Sequence, residues 1–436
     1  MLMTNLMTAR LMMSTTLMFH IVFAVLGIGM PLLMIIAEGL WLKKREPVYL
    51  AIAKQWSKAF AVLFAIGAVS GTVISFEMGL LWPKFMAFAG PVIGLPFSLE
   101  GFAFFVEAIF VGVYLYGWDR VPPRLHWLSG CLVAGAAAAS GVLVVSANGW
   151  MNTPAGFDVI NGKAANINVW AAMLNTAAFT ETLHMTLAAF LAAGFGVAAV
   201  HALMILRDSN TLFHKRAFAI AFSVGAIFAV LEPMSGDVSA RYVAKNQPIK
   251  LAAMEGQWET EKRAPLRIGG YPDMNEEKTK FAIEIPHGLS LLAFHNPNAE
   301  IIGLKSVPRD ERPFSPLVHA SFDIMVGIGF ALMGLGLLGF FLAWRMKRLP
   351  DQKWFLLLTL LFGPLGFVAV ETGWIVTEVG RQPWIIYNLM KTADAVTPMP
   401  GLIIPFIGFM LIYALLTFTL VVVLKKLIQQ SPKGTP

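Results

Sequence analysis

Residues 371–384 read ETGWIVTEVGRQPW, and they close an apolar run that begins near Trp354. That run has the length and composition of a membrane-spanning helix, which puts Glu371 at membrane depth. A carboxylate there costs roughly 2.5–3.5 kcal/mol on insertion scales unless it is neutralised, paired or bound. Glu371 therefore requires a partner, supplied by another part of the chain or by a ligand.

The composition agrees with the membrane reading. Of 436 residues 57% are hydrophobic and 14% charged, against about 25% charged in soluble domains, so the chain reads as an all-α polytopic membrane protein. The formal net charge of +7 does not point to nucleic acid, because the basic residues cluster in short connections, where they set topology. The single cysteine, Cys131, excludes a disulfide framework, Cys-ligated iron–sulfur clusters and the C-x-x-C-H attachment of haem. Any haem is held non-covalently. The N-terminus lacks the basic region, short apolar core and small-residue site of a cleaved signal, so its first apolar run reads as a retained span.

Apolar stretches long enough to cross ~30 Å of hydrocarbon are predicted near 14–42, 52–80, 93–117, 126–148, 176–205, 216–234, 316–345, 353–377 and 400–427. The connections KKREP (43–47), WDRVPPR (118–124), RDSNTLFHKR (207–216), RMKRLPDQK (345–353) and the tail KKLIQQSPK (425–433) carry the basic residues, which assigns all five to the cytoplasmic side. Nine spans then put the N-terminus outside and the C-terminus in the cytoplasm, with outer connections at 81–92, 149–175, 235–315 and 378–399. Three regions follow: spans one to six in 1–234, a long outer segment 235–315, and spans seven to nine in 316–436. The outer segment is mixed in charge and rich in Pro and Gly, and a loop of that length is usually functional or disordered. Its PIKLAAMEGQWE stretch is apolar enough to dock on the membrane face. No internal repeat is visible.

Eight histidines are present. His126, His201 and His214 fall in or beside inner connections, and His287, His295 and His319 in or beside the long outer segment. His20 and His184 fall within spans, as do the acids Glu77, Glu100, Glu107, Glu181, Asp323 and Glu371. For one histidine alone a hydrogen-bonded core role is the ordinary reading, and for Glu77 or Glu181 an interfacial acid bonded to water. Jointly they say more. At ~1.5 Å rise per residue, His20, His184, Met325 and Glu371 each fall roughly 8–15 Å below the outer end of their span, in one layer. These are haem-iron ligand types: His with Met makes a low-spin site, while a single His or anionic ligand leaves a position open for a gas. Glu100 and Glu107, seven apart, share a face of span three and form a polar file running inward, with Ser140 and Asn148 on span four as candidate neighbours. Trp374 and Arg381 are candidates for the same path or for the haem surroundings. A haem–copper centre needs several histidines within spans, including an adjacent pair, and two do not suffice.

The pieces TLMFHIVF around His20, LEGFAFFVEAIFVG with Glu100 and Glu107, ANGWMNTP (147–154), TLHMTLAA around His184, KLAAMEGQWET, IMVGIGF with Met325 and VETGWIVTEVGRQPW together resemble subunit I of the cytochrome bd-type quinol oxidases. The resemblance spans nearly the whole chain. It implies haems bound between helices near the outer face: a low-spin haem b held by His184 and Met325, and a high-spin haem b and a haem d, or a further haem b in its place, near His20 and Glu371, with the choice between those two ligands open. An iron cation and a neighbouring polar site would then neutralise Glu371. The resemblance also implies that 235–315 is a quinol-binding loop in its short form, with Lys250 and Glu255 contributing to quinol oxidation. The carboxylate can accept a proton as electrons leave, and the ammonium favours the charged intermediate. It implies as partners a related polytopic subunit II and, in some members, a single-span accessory chain. One position departs from the family: two residues before Met325, where relatives usually carry a basic residue, this chain has Asp323.

The expected activity is that of a terminal oxidase in a bacterial or archaeal cell membrane. Quinol would be oxidised at the outer face, and oxygen reduced to water with protons drawn from the cytoplasm, separating charge without a pump. The catalytic acids would be Glu100, Glu107 and Glu371. The alternative is a proton- or cation-coupled secondary transporter, which predicts inverted repeats and broken helices at the midplane; the sequence displays neither.

Overall fold

The computed structural model describes residues 4–207 and 211–429. Residues 208–210 of the third inner connection, and the tail from 430, lie outside the described residues. The helices are α1 (Asn5–Lys44), α2 (Pro47–Leu81), α3 (Pro83–Tyr116), α4 (Pro123–Asn152), α5 (Val169–Met173), α6 (Ala178–Leu206), α7 (Leu212–Asn246), α8 (Pro248–Met254), α9 (Gly288–Phe294), α10 (Ser315–Met346), α11 (Lys353–Phe362), α12 (Leu365–Val379), α13 (Thr392–Ala395) and α14 (Ile403–Gln429). Among the described residues nine helical stretches are long and apolar enough to cross a membrane, with α11 and α12 together forming one of them. The all-α expectation holds apart from short antiparallel strand pairs in the outer connections.

The helices outrun their apolar windows, and packing explains why. Helix α1 starts at Asn5 rather than near 14, capped by Thr4, whose hydroxyl accepts from the Met7 N–H. Its first turns pack Ala9 and Met12 against Leu81, Trp82 and Phe85. The expected outer connection 81–92 shrinks to Trp82 alone, since Pro83 opens α3 at a position where a missing N–H costs nothing. Helix α7 runs on to Asn246, so the outer segment begins at Gln247 rather than at 235. His126, His201, His214 and His319 lie inside helices and are buried, which adds four to the two histidines expected within spans. Arrangement, not number, now argues against a haem–copper centre. Trp56 Nε1–H donates to His201 Nε2 (3.1 Å), the Nδ1 atoms of His201 and His214 are 3.0 Å apart, and no group of three or more metal-ligating side chains occurs among the described residues.

The eighth span is broken. Pro364 removes a backbone donor, and Gly363 lies so close to α6 that a Cβ there would be 2.6 Å from the Phe195 carbonyl and 2.8 Å from Ala199. The break, unseen in the sequence, places α12 at its own angle against α10 and α6. In the outer segment the pairs 261–262/300–301, 266–268/283–285 and 271–273/278–280 fold over α8. The apolar side chains of PIKLAAMEGQWE are covered by protein. Ala252, Ala253 and Met254 are buried with Trp258, Leu304, Val318 and Val376, and the segment's exposed apolar side chains include Phe281, Ile283 and Leu292.

Candidate active site

The four ligand-type residues come from four helices whose neighbours meet. Ile21 and Val25, close to His20, share an apolar cluster with Leu17, with Met185 beside His184, and with Val370 and Trp374 on either side of Glu371. Met325 is seated on the same helix as Glu371, since a Cβ at Gly373 would lie 3.0 Å from its Sδ.

Both histidines are held in the same way. His20 Nδ1–H donates to Ser70 Oγ (3.0 Å), whose own hydroxyl donates to the Ile66 carbonyl (2.9 Å). His184 Nδ1–H donates to Ser235 Oγ (3.0 Å), with Glu232 Oε1 at 3.1 Å, and the Ser235 hydroxyl donates to the Glu232 carbonyl (2.8 Å). In each case the serine, its own hydrogen already spent on a carbonyl, fixes the tautomer with the hydrogen on Nδ1 and Nε2 bare, as the hydrogen-bond partners of metal-ligating histidines do. A glycine follows each serine and lets the ring approach: a Cβ at Gly71 would be 3.0 Å from His20 Cε1, and one at Gly236 3.5 Å from His184 Cε1. Ser70, Ser235 and Glu232 were not recognised in the sequence, where the Ser-Gly pairs at 70–71 and 235–236 look the same as those at 129–130 and 140–141.

Glu371 supplies the test for a bound cation. Both of its carboxylate oxygens are buried and neither has a hydrogen-bond partner, which a native fold leaves unexplained unless a ligand completes the site. With two histidines presenting Nε2 and a thioether at Gly373, the donor set fits haem iron.

Of the inward file, the structure joins Ser140 to Glu100, its hydroxyl donating to Oε1 (3.0 Å). Glu107 is buried. Asn148 lies elsewhere, in a polar network that reaches Gln247 and Lys250. Its Nδ2 donates to Glu378 Oε1, while its Oδ1 accepts from Asn152 Nδ2 (3.0 Å), which also donates to Glu181 (3.0 Å). Asn152 Oδ1 accepts from Lys250 Nζ (2.8 Å), Gln247 (3.2 Å) and Arg381 (3.3 Å), and Arg381 closes the ring on Glu378 (2.7 Å). Glu378, three residues before Arg381 in the opening stretch, was passed over in the sequence, as were Asn152 and Gln247. Gly380 belongs to the same construction, since a Cβ there would be 2.9 Å from Lys250 Cγ.

Lys250 and Glu255 are 4% and 5% exposed, so neither is a solvated loop charge. They face different neighbours: five residues apart, they diverge by about 140° around α8. Burial, and then the Arg381 guanidinium, push the Lys250 ammonium below the ordinary lysine range. Burial, and then the charge of Asp323, raise Glu255 to about 8, against the pull of Arg267. Glu255 Oε2 is buried without a partner. Asp323 has its own task. Its carboxylate accepts from the Gly269 N–H (2.9 Å), and His319, one turn earlier, lies on the Gly269 carbonyl (2.9 Å) and the Met254 carbonyl (2.6 Å). Helix α10 thus grips the outer segment next to Glu255.

A bundle with nine stretches long and apolar enough to cross a membrane among the described residues, with haem-ligand-type side chains on four of its helices, has the architecture of a polytopic membrane protein. The family described as cytochrome bd terminal oxidase subunit I matches residues 8–432, and the chain belongs to it. It is 40% identical over 99% of its length, and 98% of the relative's, to the Bacillus subtilis (strain 168) protein named "Putative cytochrome bd menaquinol oxidase subunit I". It is 33% identical to the cytochrome bd ubiquinol oxidase subunit 1 of the same organism, covering 97% of this chain and 94% of that one. The solved bd oxidase from Geobacillus thermodenitrificans superimposes with a TM-score of 0.93 at 36% identity, over 98% of this chain and 99% of that chain. The broken eighth span is part of this fold and does not favour the transporter reading.

Proposed function

We propose that the protein oxidises membrane quinol at its outer face and reduces oxygen to water, as the haem-bearing subunit of a cytochrome bd-type oxidase. The observation that carries this reading is Glu371, with two buried, unpartnered carboxylate oxygens beside the Met325 seat, in a chain that matches the family from end to end. His184 Nε2 and Met325 Sδ would hold a low-spin haem b; His20 and Glu371 would serve a high-spin haem b and a haem d, or a further b in its place. When bound, the haems carry the electrons and reduce oxygen at iron.

The chain's own residues do the rest. Glu255, whose Oε2 has no protein partner, accepts the proton that leaves the quinol hydroxyl. Lys250 reaches away from it and ties the loop to the Asn152–Glu378–Arg381 network, which lies between the loop and α12. Arg381 and Lys250 supply positive charge on the outer side of the ligand layer, where a haem carboxylate would be stabilised. Glu107 and Glu100, with Ser140, carry protons from the cytoplasmic side. Quinol protons then leave outside while the protons of water formation come from inside, so charge is separated without a pump. Subunit II, and in some assemblies a single-helix chain, would complete the complex, and the N-terminus lies outside. A reduced-minus-oxidised absorption spectrum of the purified protein tests the assignment: haem b bands with a low-spin component are expected, and their absence from protein expressed with its partner subunits would overturn it.

A further inference from the structure

We propose that Glu38, His126 and Tyr114 form the inner mouth of the proton route and load protons for Glu107. The inference rests on the reading that Glu107 and Glu100 deliver protons. Tyr114 follows Glu107 by seven residues as Glu107 follows Glu100, so the three side chains recur at two-turn intervals along one face of α3. Tyr114 is at the inner end of that helix, and His126 stands in the first turn of α4, also at the inner end. Glu38 comes from α1. All three are 0–1% exposed.

The geometry fixes a proton in this cluster. His126 Nε2 lies 2.9 Å from the Tyr114 backbone carbonyl, which can only accept, so Nε2 carries a hydrogen. His126 Nδ1 lies 2.8 Å from Glu38 Oε1. A neutral histidine protonated on Nε2 and an ionised carboxylate would meet there as two acceptors, so a further proton must lie between them, on Nδ1 or on the carboxyl. The pair therefore holds one exchangeable proton beyond what an isolated neutral histidine and carboxylate carry. Glu38 Oε2 and the Tyr114 hydroxyl are both buried without a partner, and the hydroxyl faces the carboxylate, as does the Cys131 thiol of α4. Trp118 covers the His126 ring at 4.0 Å between centroids. A proton taken up from the cytoplasmic side by the His126–Glu38 pair passes by way of the Tyr114 hydroxyl toward Glu107, about 10 Å further along α3, through bridging water, and the pair is reprotonated from the inside. No other bond changes.

A purely structural pair, tying α1 to α4 and covering the last carbonyls of α3, would look the same at rest. Glu38→Gln separates the two, because the glutamine amide N–H can donate to the bare His126 Nδ1 and keep the contact while the side chain no longer shares a proton. The holoenzyme in vesicles is fully reduced and mixed with oxygen in a flow-flash experiment that follows haem oxidation and membrane potential together, alongside Glu107→Gln. The expected result is that both variants keep their haem spectra and quinol-driven reduction, while potential develops about tenfold or more slowly. A slow Glu107→Gln with a wild-type Glu38→Gln overturns this inference and leaves the Glu107 route standing. A wild-type Glu107→Gln overturns the route itself. Should Glu38→Gln fail to assemble with haem, Tyr114→Phe decides, since it removes only the hydroxyl: slowed potential supports the mouth, and wild-type kinetics overturn it.

Discussion

At the scale of single residues, the opening stretch shows how much chemistry fourteen positions can hold. Glu371 is an acid without a protein partner, Gly373 makes room for a thioether, Glu378 and Arg381 pair, and Gly380 admits the stem of Lys250. If His184 and Met325 share one iron, His184→Ala and Met325→Leu each remove the low-spin haem b signal and leave the high-spin bands largely in place. Gly373→Val should act in the same direction, by pushing the sulfur off its seat. A reduced-minus-oxidised spectrum of each variant checks this, and a full low-spin signal in any of them contradicts the assignment. Glu255 gives a pH prediction. With its folded value raised to about 8, it is mostly protonated at neutral pH and accepts a quinol proton only in the fraction that has ionised. Quinol oxidation should therefore speed up as pH rises toward about 8. Glu255→Gln should abolish the rising limb while haem content stays normal, measured as kcat/KM for quinol from about pH 6 to about pH 9, a range that brackets the raised carboxyl value. The same raised value means that whatever stability the neutral Glu255 carboxyl contributes is present below the unfolded pKa and lost as pH climbs through about 8.

At the scale of elements, α10 carries two functions on one helix. Met325 faces α12, while His319 and Asp323 hold the outer segment by the N–H and C=O of Gly269 and the carbonyl of Met254. This gives a physical reason for the departure at 323: a carboxylate can accept from a loop N–H, and a basic side chain cannot. Asp323→Ala removes that bond at a cost of about 1–2 kcal/mol, enough to loosen the loop beside Glu255 and raise the quinol KM roughly five- to thirtyfold. Steady-state kinetics with a short-chain quinol measure it, alongside a spectrum that should keep the low-spin band. An unchanged KM would show that the grip does not position the quinol site. The break at Gly363–Pro364 works on the same scale, because a side chain at Gly363 would run into the Phe195 carbonyl of α6.

At the scale of the whole molecule the proposal is vectorial, so orientation is part of it. Asn161 lies in the exposed turn between the strands 158–160 and 163–165, and Arg120 in the connection between α3 and α4. With Cys131 replaced by Ser, Asn161→Cys should react with a membrane-impermeant maleimide from outside intact cells and Arg120→Cys only after the membrane is opened. The reverse pattern would invert the proton argument, since the ligand layer and the quinol loop would then face the cytoplasm.

The sequence by itself determined what composition and chemistry in series can determine. Length of apolar runs set the span number, and the basic connections set a consistent sidedness. The cost of burying Glu371, Glu107 and Glu100 marked those acids as exceptional before any contact was known, and the ordered motifs carried the family resemblance. Tertiary structure decided what depends on faces and neighbours. Helix ends were misplaced because α1, α3 and α7 continue where packing, not hydropathy, supports them, and that shift moved His214 into the bundle. Asn148 passed from the inward file to the polar network because its partners Asn152 and Glu378 come from its own next turn and from α12. Glu38 was invisible in a span read as apolar. Its meaning arises only where His126 and Tyr114, brought in by two other helices, leave one proton to be shared and one oxygen unpaired.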